Sequence, residues 1–264
     1  MILPDDRKRN VVLDGGAQCT DADEVADAHA RFVAAGAQIT LTATFHALPH
    51  LRKDWEVVAD RAVALAREGA GAASVWALIG PASQGTVRWS EAGFAEREAL
   101  TSGWWALAAR CAAAGVDGFA LQTFTDAIEC AAAVAAVRAV VPQLPIAASL
   151  SPRADGHLMD GSDPAPALLA LRAAGATWAG FNCGGGPEAI EAAVALAPEA
   201  DWARPSAGTV DHDALVAALV RLAGRCRYVG GCCGVDPAAI GVLHRAVSGP
   251  PPEPGRDVDG TEAN

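Results

Sequence analysis

No uninterrupted apolar stretch in these 264 residues approaches the roughly 20 that a bilayer-crossing helix requires, so no membrane span and no membrane partner are expected. Positive charge is scarce as well. Lys and Arg number 20 against 31 Asp and Glu, a formal net charge of −11, and no dense basic run offsets this near a phosphate backbone, so nucleic acid is not an expected partner. The longest basic cluster, Arg7-Lys8-Arg9, is brief and has no apolar segment after it. It does not read as a signal peptide, and a soluble, cytoplasmic protein is expected. Cysteine is too thinly spread for a secreted disulfide framework: there are seven, an odd number, scattered over a long Ala-rich chain, and reduced thiols are the expectation. Charged residues make up only 19% against 52% hydrophobic, which excludes a largely disordered chain.

What is present is alternation. Short β-branched or apolar runs at 11–14, 38–44, 73–80, 117–123, 145–150, 177–182, 201–204 and 227–231 are each followed by a longer segment of helical periodicity. The helical segments are 22–35, 54–68, 91–114, 126–141, 164–174, 187–197, 213–223 and 237–247. Gly36, Gly69, Gly115, Gly175 and Gly224 fall just past helix ends, where a left-handed C-cap belongs, and Pro164, Pro187 and Pro237 suit first-turn positions. Eight consecutive strand–helix units predict an α/β protein with a single (β/α)8 TIM-type barrel. It is bounded by a polar lead-in at 1–10 and a Pro-rich tail at 248–264 with the composition of a disordered segment. Trp104-Trp105, in the third helix, is read as barrel-wall packing.

Barrel chemistry gathers at the C-terminal ends of the strands. The polar residues expected there are Asp14 after the first strand, Thr44 and His46 after the second, and Gln122-Thr123 at the fourth. Asn182-Cys183 follow the sixth, Arg204 and Ser206 the seventh, and Cys232-Cys233 the eighth. Three cysteines thus reach one face from two strands separated by one other. The set suits a zinc ion held by three thiolates with its fourth position open, which is a catalytic arrangement because closed structural sites use four protein ligands. Such an ion can ionise a bound thiol, so the chemistry points to alkyl transfer onto sulfur. The competing readings of the trio are buried cysteines acting as small hydrophobes, or a vicinal redox pair. Cys111, Cys130 and Cys226 are read as structural; Cys19 and His46 lie near the same face with no role assigned.

Gly180-Phe181-Asn182-Cys183 and Gly230-Gly231-Cys232-Cys233-Gly234-Val235-Asp236-Pro237 resemble the GxNC and GGCCGxxP signatures of the homocysteine S-methyltransferase family. Val12-Leu13-Asp14-Gly15-Gly16, Ala35-Gly36-Ala37-Gln38 with Thr42-Ala43-Thr44-Phe45, and Arg204-Pro205-Ser206-Ala207-Gly208 are similar to its remaining blocks, in order, so the likeness spans residues 11–247. The resemblance implies a zinc enzyme on a (β/α)8 barrel, with Cys183, Cys232 and Cys233 as metal ligands. It further implies Asp14 as a contact for the substrate amino group, Thr44 lining the pocket, and Gln122 and Ser206 among the substrate-binding residues. Gln122 stands where members usually carry Glu, Ser206 and Ala43 where they often carry Asn, and the loops after strands one and two are short. The expected reaction transfers a methyl group from a small donor to a zinc-bound thiolate, homocysteine giving methionine, with no catalytic side chain beyond the activated thiol. The alternatives are the same chemistry on another thiol or selenol, or a catalytically silent zinc- or thiol-binding module that works with a partner.

Overall fold

The computed structural model describes residues 10–12, 22–82 and 89–248. Strand and helix alternate throughout: β1 (Asn10–Val12), α1 (Ala22–Ala34), β2 (Ile39–Leu41), α2 (Trp55–Ala70), β3 (Ser74–Ile79), α3 (Phe94–Ala113), β4 (Gly118–Phe124) and α4 (Ala127–Val140) form the first half. The second comprises β5 (Ile146–Leu150), α5 (Pro164–Ala173), β6 (Trp178–Cys183), α6 (Pro187–Leu196), β7 (Trp202–Pro205), α7 (His212–Ala223), β8 (Tyr228–Gly230) and α8 (Pro237–Ser248). The strands are parallel and close into one barrel in chain order. Closure is made by β1 on β8, with Asn10 opposite Tyr228, Val11 opposite Val229 and Val12 opposite Gly230. This is the expected (β/α)8 architecture. The lead-in before Asn10 and the tail after Ser248 fall outside the described residues. Among those residues, no helix is long and apolar enough to cross a membrane.

Local signals start the helices. Pro164, Pro187 and Pro237 each open one, where the missing N–H costs nothing. Asp126, Asp163 and Asp211 cap α4, α5 and α7 by accepting from the backbone N–H groups of Ile128 and Glu129, of Ala165, and of Ala214; each such cap is worth about 1 kcal/mol. The glycine reading needs two corrections. Gly36, Gly115 and Gly175 have φ of 104°, 89° and 112°, as expected for left-handed caps. Gly69 instead lies within α2, which runs on to Ala70, and it is needed for closeness: a Cβ there would sit 2.7 Å from His29 Cβ on α1. Gly224 caps α7 in the ordinary right-handed conformation, at φ −66°.

Two apolar layers fill the structure. The outer one joins the strands' outward faces to the helices and holds Phe119, Phe124, Phe181, Ile190 and Trp104, all fully buried. Trp105, by contrast, is 53% exposed, so only one of the two adjacent tryptophans packs against the wall. The inner layer is an aromatic stack. Trp76, Trp178, Trp202 and Tyr228 meet with centroid separations from 4.4 to 6.0 Å, closed in by Ile39, Leu41, Leu78, Ala120 and Ala147. Gly180 lets β6 and β7 approach closely beside this stack, because a Cβ there would collide with the Trp202 backbone carbonyl on the next strand. The barrel is thereby plugged below its C-terminal mouth, and polar side chains one step further along β4, β6 and β7 stand on an apolar floor.

Candidate active site

Cys183 is the last residue of β6, and Cys232 and Cys233 follow Gly230, the last of β8. Their three sulfurs lie within 4.8 Å of one another, with Cys232 and Cys233 Sγ at 3.9 Å. A tetrahedral ion with sulfur bonds of about 2.3 Å separates its ligands by about 3.8 Å. The donor set and its spacing therefore fit a thiophilic metal, and the cluster could hold one. Cys232 is buried, Cys183 half-buried and Cys233 exposed, so the cluster opens toward the mouth.

The backbone is bent to achieve this. Among the described residues only Thr123 and Cys183 are non-glycine residues with positive φ, at 64° and 65°. Such conformations cost of order 1–3 kcal/mol and persist where the surroundings enforce them. Thr123 sits beside an irregularity in the β4–β5 register between Leu121 and Phe124. At the other cysteine pair, Gly234 has φ 78°, a turn that lets the chain pass from Cys233 into α8. The loop after β7 ties the two cysteine loops together: Cys232 N donates to Pro205 O at 2.9 Å, Ala207 N to Cys233 O at 2.8 Å, and Ser206 Oγ to Cys183 O at 3.2 Å.

Asn182 links the cluster to the barrel interior. Its Oδ1 accepts from Thr123 N at 2.8 Å and from Ser149 Oγ at 2.7 Å. Its Nδ2 donates to Thr123 Oγ1 at 2.7 Å and to Cys232 Sγ at 3.7 Å. Paired with it in register on β7 is Arg204, fully buried, which donates to Gln122 Oε1. These groups polarise the thiols unequally. The hydrogen bond from Cys183 holds Cys232 well below the usual cysteine range, helped by Cys233, the Arg204 charge and the Asn182 amide, and opposed by burial. Cys183 is pushed far up, first because its proton is committed to Cys232 and then by its own burial. One thiolate is thus favoured at the centre of the trio.

The other expected site residues divide. Gln122 is buried at the mouth beside Arg204. Ser206 spends its hydroxyl on the Cys183 carbonyl, so it braces the cysteine loops. Thr44 is fully buried, donating to Leu78 O at 2.6 Å and lying 2.6 Å from Thr42 Oγ1, so its hydroxyl fastens the segment after β2 to β3. His46 is exposed, edge-on to Phe45 at 4.8 Å. Asp14 and Cys19 lie outside the described residues. Cys111, Cys130 and Cys226 are buried, in keeping with structural roles; burial pushes Cys111 up to about 12 and raises Cys130 too. Asn182, Ser149, Thr123 and Arg204 had no assigned role from sequence. The available signal was the charged Arg204 two residues after Trp202 in a strand otherwise apolar, and the asparagine fixed next to Cys183.

Fold and site together define a (β/α)8 barrel with a metal-competent thiol cluster on its catalytic face. The chain matches the homocysteine S-methyltransferase family over residues 6–247 and belongs to that family. Its structure is similar to the metallated form of the homocysteine methyltransferase MmuM from Escherichia coli, at 22% identity and a TM-score of 0.70, over 90% of this chain and 96% of that one. The apo form of MmuM matches at 23% identity and a TM-score of 0.68, over 91% and 97%. A dihydrodipicolinate synthase from Agrobacterium tumefaciens str. C58 shares the barrel at 16% identity and a TM-score of 0.53, over 92% and 76%. At these identities the structural likeness speaks to the fold. A search of curated protein sequences finds no match.

Proposed function

We propose that this protein is a zinc-dependent S-methyltransferase that moves a methyl group from a small donor to an acceptor thiol, with homocysteine giving methionine as the reference reaction. The observation that carries the reading is the convergence of Cys183, Cys232 and Cys233, with sulfurs within 4.8 Å, at the open end of a plugged barrel. These residues would hold the ion, and zinc in such a set supplies a Lewis acid at which an acceptor thiol ionises near neutral pH.

The chain's own groups prepare the site for that ionisation. Asn182 donates to Cys232, and the Arg204 charge adds to what favours that thiolate, so part of its negative charge is offset before any ligand arrives. The aromatic stack beneath denies the site water from the barrel side. In the transfer itself the acceptor sulfur's lone pair forms the new S–CH3 bond while the donor's bond to that methyl breaks, its electrons staying with the donor heteroatom. The thiol proton has left before this, so no side-chain base is required in the step.

Metal analysis with an assay matrix tests this. One zinc per chain is expected, with thiol methylation from at least one of S-methylmethionine, S-adenosylmethionine, betaine or methyltetrahydrofolate. A zinc-replete protein that methylates no thiol with any of these would sink the reading.

A further inference from the structure

We propose that Gln122 contacts a carboxylate oxygen of the acceptor thiol, so that the pocket selects mercapto-carboxylic acids and takes no essential contact from an ammonium group at this position. The inference rests on the S-methyltransferase reading and names the acceptor class for that same site.

Gln122 lies two residues beyond Ala120 on the face of β4 that fills the barrel interior, and it is 2% exposed. An amide in isolation can turn either end toward a ligand; here a neighbour decides. Arg204, two residues beyond Trp202 on the inner face of β7, donates to Gln122 Oε1. A guanidinium carries donors only, so the amide oxygen must face it and the NH2 must point elsewhere. That Nε2 atom is buried and has no hydrogen-bond partner among the described residues. A buried N–H without an acceptor pays its desolvation penalty until an oxygen is supplied.

The residue after Gln122 offers one donor. Asn182 Oδ1 is already shared between Thr123 N and Ser149 Oγ, and Asn182 Nδ2 donates to Thr123 Oγ1, which leaves the Thr123 hydroxyl hydrogen available to a ligand. The Arg204 guanidinium stands directly behind the Gln122 amide and favours an anionic acceptor over a neutral one. An ammonium at this position would meet N–H against N–H. Arg204, which holds Gln122, is paired in register with Asn182, and Asn182 Nδ2 contacts Cys232 Sγ at 3.7 Å, so the amide and the cysteines belong to one connected set of side chains on β4, β6 and β7 and the loop after β8.

The test uses the zinc-loaded full chain and calorimetric binding, apart from turnover, with three probes: homocysteine, 4-mercaptobutyrate (carboxylate only) and 3-aminopropanethiol (ammonium only). The expected order on the unaltered protein is 4-mercaptobutyrate within about threefold of homocysteine and 3-aminopropanethiol at least about tenfold weaker, the scale of one charge-assisted hydrogen bond. Gln122→Glu should reverse the order of the two truncated thiols, and Gln122→Leu should weaken both carboxylates while sparing the amine; near-ultraviolet circular dichroism checks that each variant is folded. Equal binding of the two truncated thiols, or preference for the amine, overturns the proposal even where homocysteine is methylated. Failure of all three to bind overturns this inference, whereas the methyltransferase reading falls only when the donor matrix above yields no methylated thiol.

Discussion

Asn182 shows how one side chain can serve both fold and chemistry. It joins β4, β5 and β6 through Thr123 and Ser149 and still reaches Cys232. Partners of this kind orient metal ligands, and their loss typically costs about 10–100-fold in metal affinity. Asn182→Ala is therefore expected to weaken zinc binding by at least about tenfold, measured by chelator competition, and to lower stability by about 2 kcal/mol through the orphaned Ser149 and Thr123 groups. His29 offers a second test at this scale. It is buried on α1 with both ring nitrogens unpartnered among the described residues, and burial lowers its pKa to about 4. Above about pH 6.5 the ring is neutral whether folded or unfolded and exacts no pH-dependent cost. As pH falls through 6.5 the unfolded chain takes up a proton that the folded one refuses until about 4, so stability declines across that window by up to about 3 kcal/mol. His29→Leu should flatten this part of a urea-denaturation profile measured against pH; an unchanged slope would contradict it.

At the scale of elements, legibility followed periodicity and punctuation. Proline marked the starts of α5, α6 and α8 because a pyrrolidine ring admits few other places, whereas glycine marked ends less faithfully because it also serves closeness, as Gly69 does between α1 and α2. The three cysteines were readable because they sit in short signatures at the end of β6 and just past the end of β8. The inward aim of Arg204 was not, since it depends on which face of β7 turns into the barrel, and that phase is set by neighbouring strands. Thr44 and Ser206 were legible as residents of the mouth, but the use of their hydroxyls on backbone carbonyls depends on distances between segments remote in sequence. The fit of β6 to β7 yields a prediction. Gly180→Ala places a methyl against the Trp202 carbonyl, where no flexible side chain can yield. A loss of about 3 kcal/mol or more is expected, read as a fall in the thermal midpoint, together with broadening of near-ultraviolet aromatic signals.

For the whole molecule, the proposed metal would clasp the end of β6 to the end of β8 across β7, and so stabilise the folded barrel by linkage. With free zinc at 100 times its dissociation constant this adds about 2.7 kcal/mol. A chelator should lower the melting temperature of the unaltered protein, and in Cys183→Ser the same addition should have much less effect; calorimetry on both proteins checks this. A chelator-insensitive midpoint in a zinc-containing sample would contradict the arrangement.

The stacked indoles in the barrel have a practical consequence. Trp202 lies two residues below Arg204 and touches Trp76 and Tyr228, so excitation energy absorbed anywhere in that column is shared directly beneath the mouth. The protein thus carries its own fluorescent gauge: when a thiol settles above the column, the emission colour and lifetime of these tryptophans should change, and occupancy can be followed without any attached dye.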